Sequence, residues 1–129
     1  MPRLLLDTHA FLWWMNDAPD LSDPARRAIA DAGNECFLSL TSCWEMAMKS
    51  SLGKLRLARP VERFVSEQLA ANGFNLLNIE LRHAAKVEKL PFHHRDPFDR
   101  LLIAQAITEK LTLVSADNIY STYGVKLLW

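Results

Sequence analysis

Residues 3–15 read RLLLDTHAFLWWM: four residues of strand character, an aspartate, then an apolar stretch of helical length. A continuous apolar run closed by a carboxylate is what a strand buried on both faces of a parallel sheet shows, because helices cover both sides and no face alternates with solvent. Further short apolar runs follow along the chain. Candidate strands run over Arg3–Asp7, Cys36–Leu40, Asn75–Ile79, Leu111–Ser115 and Val125–Leu128. Helical stretches separate them, so the pattern is that of βαβ units and a five-stranded parallel α/β sheet. Ser22-Asp23-Pro24 reads as a cap followed by an early-turn proline, and Ser42-Cys43-Trp44-Glu45 matches a capping box. Arg63–Ala71 places Phe64, Val65, Leu69 and Ala70 on one stripe, Gly53 and Gly73 read as helix stops, and Asp96-Pro97 opens a further helix.

With 129 residues the chain fits one domain, 1–129, able to build a core without staples. Fifteen Lys and Arg balance fifteen Asp and Glu, which argues against a protein that binds nucleic acid through global positive charge. Basic residues do cluster locally, at Lys49, Lys54, Arg56, Arg59 and Arg63, and again at His93, His94, Arg95 and Arg100. Two cysteines, Cys36 and Cys43, are too few for a disulfide framework or a thiolate zinc site. No signal-peptide pattern or membrane-length apolar run occurs, and the expected setting is cytoplasmic, with no membrane partner.

Right-handed crossovers gather strand C-termini and the starts of the following helices at one edge of such a sheet. Asp7 then ends the first strand, Glu45 lies in the first turn of the helix after the second, Asp99 in the first turn of the helix before the fourth, and Asp117 just past the fourth. Taken singly, each has a plain structural explanation, since carboxylates suit helix N-termini. Together they describe an anionic cleft whose members repel one another unless a cation joins them, and hard oxygen ligands select Mg²⁺ or Mn²⁺. Phosphodiester hydrolysis is the chemistry such a centre performs.

The segments LLLDTHAFLWW (4–14), SLTSCWEMAMKSSLGKL (39–55), HHRDPFDRLLIAQA (93–106) and LTLVSADNIYSTYGVKLLW (111–129) resemble, in order and across essentially the whole chain, the PIN domain, and within it the VapC-type toxins of bacterial toxin–antitoxin pairs. The resemblance implies a three-layer α/β/α sandwich with strand order 3-2-1-4-5. It implies a metal-dependent endoribonuclease whose acidic quartet is Asp7, Glu45, Asp99 and Asp117, with Mg²⁺ or Mn²⁺ as cofactor. Thr8 and Ser115 would orient carboxylates or metal-bound water through their hydroxyls. Asp96 ranks below Asp99 because its position suits an N-cap, and Arg100 is expected either to contact the cluster or substrate or to form a surface ion pair. RNA is the implied substrate, and a cognate antitoxin and a homodimer are the implied partners.

The histidines His9, His83, His93 and His94 lack a zinc spacing, and His93, His94 and Arg95 are expected to meet RNA phosphates or face solvent. Trp13, Trp14, Trp44 and Trp129 are assigned to core or dimer packing rather than base stacking. The first helix, apolar nearly all round from Phe11 to Met15, is expected to need a second surface from a homodimer partner or another bound protein. A phosphoacceptor receiver domain would require a central Asp at the end of a middle strand, where Asn78 and Ile79 stand. The remaining alternative is a PIN-like RNA-binding or interaction module without catalysis.

Overall fold

A computed structural model describes residues 2–129. Five parallel strands, β1 (Arg3–Leu6), β2 (Glu35–Ser39), β3 (Asn75–Leu77), β4 (Thr112–Val114) and β5 (Leu127–Leu128), form one sheet in the order β3-β2-β1-β4-β5. The central strand is fully committed on both edges: Leu4 sits opposite Cys36 and Thr112, and Leu6 opposite Leu38 and Val114. Its side chains alternate between two cores. Leu4 and Leu6 join Phe11, Leu21, Ala25, Ile29 and Leu38, whereas Leu5 joins Leu102, Ile103, Ala106 and Leu113 on the opposite face. That two-sided burial is why β1 reads as unbroken leucine.

The first core is covered by α1 (Thr8–Met15), α2 (Asp23–Ala30), α3 (Leu40–Ser51) and α4 (Val61–Asn72), the second by α5 (Leu81–Val87) and α6 (Pro97–Glu109). The result is the α/β/α sandwich that the family resemblance implied. No helix among the described residues is long and apolar enough to cross a membrane.

Local chemistry sets the boundaries. Asp7 leaves the first strand early because its Oδ1 accepts from the Ala10 backbone N–H at 2.8 Å and caps α1. Ser22 caps α2 as expected, through a 3.2 Å bond from the Ala25 N–H. The expected capping box at Ser42 does not form. Ser39 caps α3 instead, accepting from the Thr41 N–H at 2.9 Å, so the helix starts at Leu40 and Glu45 lies beyond its first turn. The cap is non-obvious in the sequence because Ser39 is also the last residue of β2.

Gly73 ends α4 with φ +66°, and a Cβ built there meets nothing within 4 Å. A Gly73→Ala substitution is therefore expected to cost about 1 kcal/mol from backbone strain alone. Urea denaturation measures it, and an unchanged midpoint would contradict the assignment.

The first helix does not expose the apolar surface expected of it. Trp13 packs against Trp129 with ring centroids 5.7 Å apart, and Trp14 packs against Phe74 while its Nε1–H donates to Asn72 Oδ1 at 3.0 Å. The chain's own α4 and C-terminal residues supply the second surface. The uncovered apolar stripe lies on α3, where Leu40, Trp44, Met48 and Leu52 recur every four residues, Trp44 being 58% exposed.

Candidate metal centre

The chain leaves β1 for β2 and β3 on one side and returns to β4 on the other, so a crevice opens at the C-terminal ends of the central strands. A cavity of about 120 Å³ lies there, lined by Asp7, Thr8, Glu45, Lys49, Asp96 and Asp99 among others. Asp7 comes from the end of β1, Glu45 from α3, and Asp96 and Asp99 from the start of α6. Residues 38 and 54 positions apart in sequence thus share one cavity, a consequence of topology that no local signal carries.

Asp117 stands apart from the lining. Its Oδ1 accepts from the Ile119 N–H at 3.0 Å and caps the 3-10 helix Asn118–Tyr123, and its own N–H donates to Ser115 Oγ at 3.0 Å. Its charge still reaches the cavity, since Asp117 is among the groups that push the Tyr120 phenol pKa upward. Asp7, Asp96 and Asp117 each use Oδ1 as a helix cap, which leaves the second oxygen of each outside the cap bond.

Glu45 and Asp99 serve no cap. Thr8 Oγ1 donates to Glu45 Oε1 at 2.7 Å, and Lys49 Nζ donates to Glu45 Oε2 at 2.6 Å. Tyr120 donates its hydroxyl proton to Asp99 Oδ1 at 2.7 Å, while His94 Nε2 lies 3.3 Å from Asp99 Oδ2, near but outside hydrogen-bond geometry.

Burial holds the Asp7 carboxyl above the usual aspartate range; hydrogen bonds from Ser115 and Ala10 and the nearby His9 pull the other way, and Asp99 adds to the rise. Asp99 is raised likewise, first by burial and then by Asp96 and Glu45, against the Tyr120 hydrogen bond and His94. Carboxylates that raise one another's pKa in a partly dry cleft favour a cation among them. Lys49 is the only Lys or Arg in the lining, and it is engaged with Glu45. Ser42 also lines the cavity, with a buried Oγ that has no hydrogen-bond partner. Carboxylate and hydroxyl oxygens of this kind fit a hard divalent cation.

Arg100 does not reach this cleft. Its guanidinium is buried and turned away from Asp99, bonded to the carbonyls of Val87, Leu90, Pro91 and His94 and to the Tyr123 hydroxyl, with Phe92 stacked 4.2 Å from it. Neither a site contact nor a surface ion pair describes it. Five acceptors from the 87–94 connection and the 3-10 helix converge on one planar fork, which pins that connection to α6.

Among the described residues, Glu80, His83 and Glu109 place ligand-type atoms within 4.8 Å of one another. Hydrogen bonding accounts for this trio without an ion. His83, fully buried, accepts at Nδ1 from the Glu80 N–H at 2.9 Å and donates from Nε2 to Glu109 Oε2 at 2.7 Å, and Glu109 is also paired with Arg82. The cluster sits at the end of α6 remote from Asp99, ten residues or about 15 Å along the helix, and locks α5 onto it.

Lys49, Ser42, Tyr120 and His94 thus belong to the surroundings of the site without having been singled out for it in the sequence. The four-residue spacing of Glu45 and Lys49 was a readable signal. Tyr120 had none, because only the tertiary fold brings the 3-10 helix beside α6.

Residues 4–126 match the PIN domain family model. Ribonuclease VapC22 of Mycobacterium tuberculosis (strain ATCC 25618 / H37Rv) is 34% identical over 119 residues, covering 92% of this chain and 89% of that protein. The chain belongs to the PIN domain family. Among solved structures, VapBC2 from Rickettsia felis bound to a promoter DNA fragment superposes with a TM-score of 0.71 at 16% identity, over 97% of this chain and 96% of that one. DNA-bound VapBC from Salmonella typhimurium gives 0.69 at 14%, over 98% and 97%. At these identities the two structures establish the shared fold.

Proposed function

We propose that this protein is a metal-dependent endoribonuclease and the toxin of a toxin–antitoxin pair, with Mg²⁺ or Mn²⁺ held by Asp7, Glu45, Asp99 and Asp117. The observation that carries the reading is the convergence of Asp7, Glu45 and Asp99, from three separate segments, on one cavity. A relative named as a ribonuclease, similar over nearly its whole length, supports the same chemistry.

When bound, a divalent ion there supplies Lewis acidity toward a phosphoryl oxygen and lowers the pKa of water. The protein's part is to hold carboxylates in place and admit RNA. Thr8 and Lys49 hold the two Glu45 oxygens, and Ser115 supports Asp7. Hydrolysis then adds water across one P–O bond and breaks the strand. Purified protein should cleave structured RNA with Mg²⁺ or Mn²⁺ and stop on chelation. Absence of cleavage across an RNA panel, with no measurable metal binding, would favour the non-catalytic PIN-like module instead.

The antitoxin is expected to silence the enzyme by inserting a basic side chain, since an arginine fork pairs with carboxylates and replaces the charge of the metal. An antitoxin seated only on the opposite sheet edge, with metal binding intact, would contradict this. Self-association is assigned to the α3 stripe. A Trp44→Glu substitution should turn a homodimer into monomers in sedimentation at tens of micromolar, and an unchanged dimer would move the interface elsewhere.

A further inference from the structure

Tyr120 is 3% exposed, and its ring belongs to the core formed by Leu5, Leu102, Ile103 and Val125. A phenylalanine would fill that space equally well. The hydroxyl adds one interaction, its 2.7 Å bond to Asp99 Oδ1. We infer that Tyr120 is a positioning residue of the metal centre, fixing the Asp99 carboxylate through this bond so that its remaining coordination capacity faces the cavity. The inference rests on the metal-dependent reading above and extends it to a residue outside the acidic quartet.

Two considerations support it. Asp99 caps no helix and shares the cavity lining with Asp96 and Glu45, so among the described residues the Tyr120 hydroxyl is the group that hydrogen-bonds its carboxylate. A hydroxyl-to-carboxylate bond of this length is among the stronger hydrogen bonds in proteins, and its donor is built into a close-packed core. Outer-shell partners of this kind orient metal ligands and commonly contribute 10–100-fold, roughly, to metal affinity or activity.

The test is Tyr120→Phe, which removes one oxygen and leaves the ring. Mn²⁺ affinity, followed by electron paramagnetic resonance or calorimetry, is expected to fall roughly tenfold or more, with a lower kcat at saturating RNA and little change in KM. The melting temperature of the metal-free protein should stay within a few degrees of wild type. Because Tyr120 acts through Asp99, the double variant carrying Asp99→Asn should bind Mn²⁺ no more weakly than Asp99→Asn alone. Losses that simply add, or unchanged Mn²⁺ affinity and cleavage in a folded Tyr120→Phe protein, would overturn the inference while leaving the enzyme reading intact. A wild-type protein that binds no Mn²⁺ and cleaves no RNA would overturn both.

Discussion

Asp99→Asn is expected to lower metal-dependent RNA cleavage by roughly a hundredfold or more, at least matching the upper range for changes in residues that merely support a ligand. Asp96→Asn, three residues earlier, should keep much of the activity. The two side chains line the same cavity but do different work: Asp96 Oδ1 accepts from the Phe98 and Asp99 N–H groups at 2.9 and 3.2 Å, whereas Asp99 caps nothing. Asn is a good N-cap, so Asp96→Asn should cost well under ~1 kcal/mol. Cleavage measured against metal concentration, with melting curves for both variants, separates them. Equal activity loss would bring Asp96 into the centre, and an Asp99→Asn enzyme with unchanged metal dependence would remove Asp99 from it.

The same reasoning sets a pH dependence for the metal-free protein. Asp7 and Asp99 have folded-state pKa values above the ordinary 3.8, so their ionised forms are disfavoured by folding. Their destabilising contribution is fully present above the raised folded pKa. It shrinks as pH falls through that value and is gone below the ordinary one. Asp7→Asn should therefore melt a few degrees higher than wild type at neutral pH without metal, with the gap closing in acid. A variant that melts lower at neutral pH would refute the assignment.

The largest expected effect on stability belongs to Arg100. Only 5% exposed, it donates to the Pro91, Val87 and Leu90 carbonyls. Arg100→Ala should cost about 3 kcal/mol, because it leaves the buried Leu90 carbonyl and the part-buried Pro91 carbonyl without this donor and loses packing against Phe92. Arg100→Lys should recover little, since an ammonium cannot span the fork. Activity should fall too, as the 91–95 connection carries His94 to the edge of the site. A loss below about 1 kcal/mol in urea denaturation would show that the network contributes less than its geometry implies.

Arg100 also marks where reading the sequence stops. Strands such as Arg3–Leu6 and helix starts such as Ser22 and Asp96 announce themselves through short-range patterns, and the approach of Asp7, Glu45 and Asp99 followed from topology once the strands were in order. The direction of the Arg100 side chain, the bond from Tyr120 and the cover that α4 and Trp129 give to α1 depend on packing between distant segments, which leaves no periodic trace. Ser39 shows a subtler failure. Two serines three residues apart each fit a helix start, and the choice fell to Ser39 because Gln105, buried in α6, accepts its hydroxyl proton.

The position of β1 in the sheet has a consequence for the order of events during synthesis. It can pair with β2 as soon as about 40 residues are free of the ribosome, yet its other edge waits for β4, which lies more than 100 residues along the chain from β1. Closing so long a loop slows folding more than it weakens the product. At 5–20 residues per second, roughly, the nascent chain spends several seconds with half of its central strand unpaired. Asp7 leaves the ribosome early, and Asp99 and Asp117 leave late. The cavity that Asp7, Glu45 and Asp99 share therefore cannot assemble on a nascent chain until α6 has emerged, long after β1, and any partner that binds before then meets the protein without it.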